Sequence, residues 1–407
     1  MFGWEFPPFS SGGLGTACFG LTKALSDANT HITFVLPKKI DVSSKDMDII
    51  FADSFTSSDN VKLLRIDSIL SPYLSSKDYL AQKNVKDNQY YANDLISEVL
   101  RYGILGGEIA REVIFDVIHA HDWLSFRAGM AAKKVSGKPL IVHVHSTEFD
   151  RTTGNINKDI YKIEKEGMEA ADGVIAVSQF TKDLIIKHYG IPAEKIQVVH
   201  NGIEKELDPR IILEGKPINR FKEMGYKIVL FVGRITVQKG PDYFIKVADL
   251  VLKYYPKAIF VVVGSGEMEH QIIEQAATLG ISDKVLFAGY LRGEELKKVY
   301  KMADLFVMPS VSEPFGLTAL ESVVNGAPVL ISNQSGVSEV LTHALKVDFW
   351  DIEEMANKIL AVLLYPSLQL TLKEEAYGEI GSQSWKNAGG KLINIYRKFL
   401  DSYLLKN

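Results

Sequence analysis

The sequence predicts an α/β protein of two doubly wound domains, on three observations. The chain has 407 residues, more than one hydrophobic core usually supports, so two domains are expected. Short apolar runs that suit buried parallel strands alternate with helical stretches through both halves. Between the halves, residues 204–226 are mixed and polar and hold Pro209 and Pro217, which suits an interdomain linker. The expected organisation is a first domain over 1–203, the linker over 204–226, a second domain over 227–382, and a final helix over 383–407.

The composition is that of a globular protein, 46% hydrophobic and 24% charged. A net charge of −4 argues against nucleic acid or a strongly anionic membrane as the main partner. Cys18 stands alone, so no internal disulfide forms and a reducing compartment is expected. No apolar run approaches the roughly 18 residues of a membrane span. No basic segment followed by a hydrophobic one opens the chain. A soluble cytoplasmic protein is the expectation.

In chain order, only a stub of strand precedes Gly12, Gly13 and Gly15, which allow close backbone approach to a ligand. A helix follows over Ala17 to Leu25, then a strand over His31 to Leu36. Asp46-Met47-Asp48 has a metal-binding spacing, but nothing around it supports that role, and it reads as a solvated charged segment. Residues 52–100 are polar and weakly periodic. A strand over Val113 to Ala120 leads into His121-Asp122-Trp123, with Asp122 expected to cap the next helix. A second strand over Pro139 to Val144 leads into the polar run His145 to Asp150. Polar clusters at consecutive strand ends point to one ligand cleft; His143 lies deeper on its strand than His145. A strand over Gly173 to Ser178 and a helix over Thr181 to Tyr189 complete the half, which closes at Val198 to Gly202.

The second half opens with an apolar strand from Lys227 to Gly233, then Arg234 and Lys239, then a helix from Pro241 to about Tyr254, with proline in the first helical position. Arg234 and Lys239 read equally as solvated charges. The strand Ala258 to Gly264 ends in Gly264-Ser265-Gly266, short of a dinucleotide fingerprint. A strand from Lys284 to Ala288 precedes Gly289-Tyr290-Leu291. Leu305 to Met308 is a buried strand, Pro309 to Pro314 a turn, and Leu317 to Val324 a helix stopped by Asn325-Gly326. The amides of Gly316, Leu317 and Thr318 are free donors that favour an anion. Glu313 and Glu321 flank them; a loop charge and a solvated helix face are the bland reading of that pair. A strand over Val329 to Ser332 and a short helix over Gly336 to Glu339 follow, and the chain is helical after residue 370. The last helix is amphipathic through Leu392, Ile395, Tyr396, Phe399 and Leu400.

Glu313-Pro314-Phe315-Gly316-Leu317-Thr318, with Glu321 eight residues after Glu313, resembles the signature of the retaining GT-B glycosyltransferases. That family includes glycogen and starch synthases, sucrose synthases and many mannosyl- and glucosyltransferases. Trp4-Glu5-Phe6-Pro7-Pro8, Ser11-Gly12-Gly13-Leu14-Gly15, His119-Ala120-His121-Asp122-Trp123 and His145-Ser146-Thr147-Glu148-Phe149 look most like its glycogen-synthase-like branch. The resemblance implies two Rossmann-like domains facing a central cleft, with the last helix crossing back to the first. It implies metal-independent, retaining transfer of a hexose, glucose first, from UDP- or ADP-glucose to an α-glucan or other glycan, with no cofactor. His145, Glu313 and Asp122 would act at the donor sugar. Gly13, Arg234, Lys239, Gly316, Leu317 and Thr318 would hold the donor diphosphate, Glu321 the ribose and Leu291 the base. Ser10 departs from the lysine that some glycogen synthases place two residues before the first glycine, and the first strand is shorter than the family's. Three other readings remain: a transferase for cell-surface or lipid-linked glycan, a nucleotide-sugar epimerase of the same fold, and a non-catalytic sugar-nucleotide sensor. The implied partners are a nucleotide-sugar donor and a glycan acceptor, with no nucleic acid and no integral membrane segment; peripheral membrane contact stays open.

Overall fold

The structure, a computed structural model, describes residues 1–6, 12–38, 49–51, 61–67, 94–204 and 221–405. Ser10, the Asp46-Met47-Asp48 segment and residues 205–220 of the expected linker lie outside them. Contacts divide the chain into two compact units. One holds Met1–Glu148, Ile156–Gly202 and Trp385–Asn407; the other holds Phe149–Asn155 and Ile203–Ser384.

In the first unit β1 (Ile32–Lys38), β2 (Ile49–Phe51) and β3 (Val61–Asp67) form one group in the order β1-β3-β2, and β4 (Ile118–His121), β5 (Leu140–Val144), β6 (Gly173–Ala176) and β7 (Ile196–Val198) form another in the order β4-β5-β6-β7. All pairs are parallel except β2 with β3. Phe2 joins the groups as a one-residue strand, bridging Val35 on one side and Ala120 on the other. Its amide donates to the His119 carbonyl at 2.7 Å, and its own carbonyl accepts from the His121 amide at 2.9 Å. The expected stub is therefore a sheet position. The chain runs one way from Phe2 to β1 and the other way to β4, so the direction of winding reverses between Phe2 and β4.

The strand expected over Val113 to Ala120 begins only at Ile118. Val113 is the C-cap of a helix over Leu95–Glu112, where its amide donates to the Ile109 carbonyl, and Ile114 is fully exposed. Apolar residues alone do not make a strand before the partner edge starts. The final helix, Trp385–Leu404, lies in this first unit. A Cβ on Gly20 would stand 2.3 Å from the Trp385 ring, and one on Gly389 would stand 2.8 Å from the Ala24 Cβ. Glycine at those two positions lets helix pack on helix. No single helix among the described residues is long and apolar enough to cross a membrane.

The second unit is one parallel sheet of β8 (Lys227–Val232), β9 (Ala258–Val263), β10 (Val285–Phe287), β11 (Leu305–Met308), β12 (Val329–Ser332) and β13 (Leu345–Val347), in the order β10-β9-β8-β11-β12-β13. Every residue of β9 and β11 is buried, as expected of parallel strands covered on both faces. Phe231, Phe244, Phe260, Val247, Val251 and Ile359 form part of the core. Winding reverses between β8 and β11, so the loops after these neighbouring strands open at the switch point, where ligands bind in such sheets. The chain is helical after residue 370 as expected, in Pro366–Glu379 and Trp385–Leu404, and a further helix, Ile352–Leu364, precedes them.

Candidate functional site

The loops after β8 and β11 are locked together by backbone. After β8 the chain makes a tight turn over Val237–Lys239 and enters the helix Pro241–Tyr254 through Gly240. Gly240 has φ of 63°, and a Cβ there would lie 2.2 Å from the Pro309 carbonyl oxygen. Only glycine combines that left-handed backbone with so close an approach. The Gln238 carbonyl accepts from the Val311 amide at 2.9 Å. This docking brings Lys239 to Glu313, and the two form an ion pair. Residues assigned to the diphosphate and to the sugar, 74 positions apart, thus meet. The Lys239 stem passes 3.8 Å from where a Gly233 Cβ would be, and Arg234, the next residue along, is half-buried.

Glu313 is buried. Its amide donates to the Gln334 carbonyl and its carbonyl accepts from the Gly336 amide, each at 2.9 Å. That zips its backbone to the loop after β12. Gly316, at φ of 111°, is the N-cap of the helix Leu317–Val324. A Cβ there would crowd Val337 at 2.9 Å and Met308 at 3.1 Å. The Ala319 amide turns back onto the Gly316 carbonyl, which leaves the Leu317 and Thr318 amides at the start of the helix, where they have no intrahelical acceptor. A diphosphate suits such a place.

Glu321 is held on one carboxylate oxygen by the Tyr300 hydroxyl, which donates to it at 3.0 Å. Burial raises the Glu321 carboxyl to about 7, against which the Tyr300 bond acts. Burial, and then the carboxylate beside it, push the Tyr300 phenol well above its ordinary value. Leu291 follows β10 two positions after Gly289, whose carbonyl accepts from the Gly264 amide at 2.8 Å, and a Cβ on Gly264 would lie 1.8 Å from the Gly233 carbonyl oxygen of the β8 loop.

The first unit is built differently. Gly13 is the first residue of the helix Gly13–Asp27, four positions ahead of the expected start, and so opens a helix where a loop was expected. The neighbouring Gly15 amide is already taken by the buried Glu5 carboxylate at 2.8 Å. Asp122 corrects a second expectation: its side chain does not cap the helix Trp123–Ser136. It reaches to the end of β5 and accepts from the His145 amide at 2.7 Å and the Ser146 amide at 3.4 Å. Its backbone sits at φ 57° and ψ 172°, a region essentially reserved for glycine, and such strain gathers at functional sites.

His119 and His121 on β4 and His143 on β5 are buried, with His145 half-exposed just beyond, in a two-by-two array. Rings stack at 4.3 Å for His119 on His121 and 4.2 Å for His143 on His145. His119 Nδ1 meets the Tyr396 hydroxyl of the last helix at 2.5 Å, and His121 Nδ1 meets His145 Nε2 at 3.0 Å. Burial first, then neighbouring imidazoles, push His119, His121 and His143 well below their ordinary value, and burial takes His145 to about 3. The array is neutral. Ring nitrogens of His119, His121 and His143 come within 4.8 Å of one another. Their planes lie only 12° to 28° apart, so the in-plane lone pairs run side by side where a metal needs them to converge. Sequence reasoning missed Tyr300, His121 and Glu5; each meets its partner only through tertiary structure.

Known proteins resemble this chain along its length. A model described as glycosyltransferase family 4 matches residues 11–207, and one described as glycosyl transferases group 1 matches residues 216–379. The chain is 31% identical to an uncharacterized glycosyltransferase of Methanocaldococcus jannaschii, over 98% of this chain and 97% of that protein. It is 28% identical to the glycogen synthase of Mycobacterium tuberculosis, over 84% and 80% respectively. Among solved structures, sucrose-phosphate synthase from Thermosynechococcus elongatus superposes with a TM-score of 0.77 at 20% identity, over 98% of each chain. That last likeness carries the fold alone.

Proposed function

The chain belongs to the group 1 glycosyltransferases of the GT-B type, and from that premise we propose that it moves a hexose, glucose first, from a nucleoside diphosphate sugar to an α-glucan or other glycan, with retention. The observation that carries this reading is the Lys239–Glu313 pair beside the glycine-capped helix start at Gly316. A diphosphate leaving group must gain negative charge as the glycosidic bond breaks. At roughly 4 Å and an effective dielectric near 20, one cation contributes about 4 kcal/mol before desolvation. A helix start adds about 0.3 to 2 kcal/mol.

In this reading Lys239 and Arg234 stabilise the leaving group, Arg234 by its fork and Lys239 as a point charge. The Leu317 and Thr318 amides orient the phosphates at Gly316. Glu313, already held by Lys239, takes sugar hydroxyls and steadies positive character at the anomeric carbon. Glu321 takes the ribose, Leu291 the base, and Gly13 a diphosphate oxygen. His145 and Asp122 serve the donor sugar. Two fixed cations make a divalent metal unnecessary, and activity is expected to persist in a chelator.

The test is nucleoside diphosphate release from UDP-glucose, ADP-glucose, GDP-mannose and UDP-GlcNAc, each with and without glycogen, beside Glu313→Ala. Release from one glucose donor that rises with glycogen and vanishes in the variant supports the reading. Turnover of donor with no acceptor dependence refutes it and favours an epimerase.

A further inference from the structure

Three imidazoles stand beside His145 without a part in the reaction above. We propose that His121 is a positioning residue that grips the His145 ring at Nε2 and so fixes how that ring is presented to the donor sugar. The inference rests on the assignment of His145 to that sugar.

His121 Nδ1 lies 3.0 Å from His145 Nε2. One proton sits between two ring nitrogens, and whichever tautomer holds it, Nε2 of His145 is occupied. The grip is rigid because His121 is itself confined. It is wholly buried and its ring stacks on His119 at 4.3 Å, His143 at 5.5 Å and Phe34 at 6.0 Å. A ring packed on three sides does not turn. The other end of residue 145 is fixed as well, by its amide donating to Asp122 at 2.7 Å. Ring and backbone of His145 are thus held by two adjacent residues, His121 and Asp122.

The ring's other nitrogen, Nδ1, is covered by protein and has no hydrogen-bond partner among the described residues, so the Nε2 contact is the polar anchor of the ring. A neutral ring also suits the place. An imidazolium beside an anomeric carbon that is gaining positive charge would oppose the reaction, and a histidine shielded by other neutral rings stays uncharged.

A double-mutant cycle on the full-length chain decides the matter, using glucose-donor turnover and melting temperature for His121→Phe, His145→Ala and the pair. His121→Phe is expected to lower kcat by about 10- to 100-fold, as misplacement of a contacting group does, and to move donor KM by less than about threefold. Combined with His145→Ala it should add nothing, since both remove the same effect. Losses that multiply in the double variant overturn the inference and leave His121 a packing residue. Full activity in His145→Ala refutes the assignment of His145 itself, and the inference with it. If the Phe variant does not fold, His121→Asn takes its place, because a short amide keeps a polar atom on that side of the ring. A loss in the Asn variant that persists at full size in the His145→Ala background overturns the proposal; a loss that vanishes there supports it.

Discussion

The strand ends of the two units carry polar side chains on opposite electrostatic plans. After β8 and β11, charge meets charge: Lys239 pairs with Glu313, beside a helix start held open by Gly316. After β4 and β5 the rings are stacked and kept neutral by burial, and the Asp122 carboxylate accepts from backbone amides. The first plan suits an anion whose charge changes during reaction, because fixed charges act where charge develops. The second suits a neutral sugar, which needs orientation more than field. Under the proposed function the difference divides the labour: stabilisation in the second unit, placement in the first.

The largest expected effect tests that division directly. Lys239→Ala should lower kcat by about 100- to 1,000-fold, against about 10- to 100-fold for His145→Ala, both read as nucleoside diphosphate release. A larger loss from the histidine would break the comparison. Next, Glu313→Gln leaves Lys239 without its counter-charge, and we expect the second unit to lose about 2 kcal/mol in chemical denaturation. His145→Ala, which strands no charge, should cost less; equal costs would remove the electrostatic contrast.

Glu321 sharpens the comparison through pH. Burial lifts its carboxyl from an ordinary 4.5 to about 7. A raised carboxyl favours the fold while protonated, so its contribution is complete below about 4.5 and is lost as pH climbs through 7. Glu321→Gln mimics the protonated form. It should raise the unfolding free energy at pH 8 by about 1 to 2 kcal/mol after allowance for partial exposure, read as a higher melting temperature, and change nothing at pH 4. A gain at both values would point to packing instead. The smallest effect is at Asp122, whose backbone occupies glycine's region. Asp122→Gly and Asp122→Ala lose the same carboxylate, so Gly should be the more stable by about 1 kcal/mol. Equal urea midpoints would show the backbone to be unstrained.

The second unit was the more legible in sequence, for a physical reason. Its strands are covered on both faces, so Val229 to Phe231 and Ala258 to Val263 read as unbroken apolar runs, and its helix Leu317–Val324 starts and stops at glycines. In the first unit, Val113 to Val117 are nearly as apolar yet lie before β4 begins, and the Leu95–Glu112 helix starts inside the weakly periodic stretch 52–100. Strand ends and glycine turns pointed to Arg234, Lys239, Glu313 and Asp122 as residues. Their partnerships were not legible. Tyr300 lies 21 positions from Glu321 and His121 lies 24 from His145, distances at which no local spacing rule operates. Aspartate before a helix is usually a cap; here the His145 and Ser146 amides just past β5 take the Asp122 side chain instead.

The last helix sets an order on synthesis. The first unit is made from Met1–Glu148 and Ile156–Gly202 together with Trp385 onward, so its helix Gly13–Asp27, with Gly20 awaiting Trp385, lacks that partner while Ile203–Ser384 is translated. At about 5 to 20 residues per second that interval is roughly 10 to 40 s. The usual rule that the N-terminal domain finishes first is inverted here: the ribosome releases a completed second unit before the first can close. Contacts that span nearly the whole chain also make that closure slow. The exposed seat for the final helix is where a chaperone has most to gain by waiting.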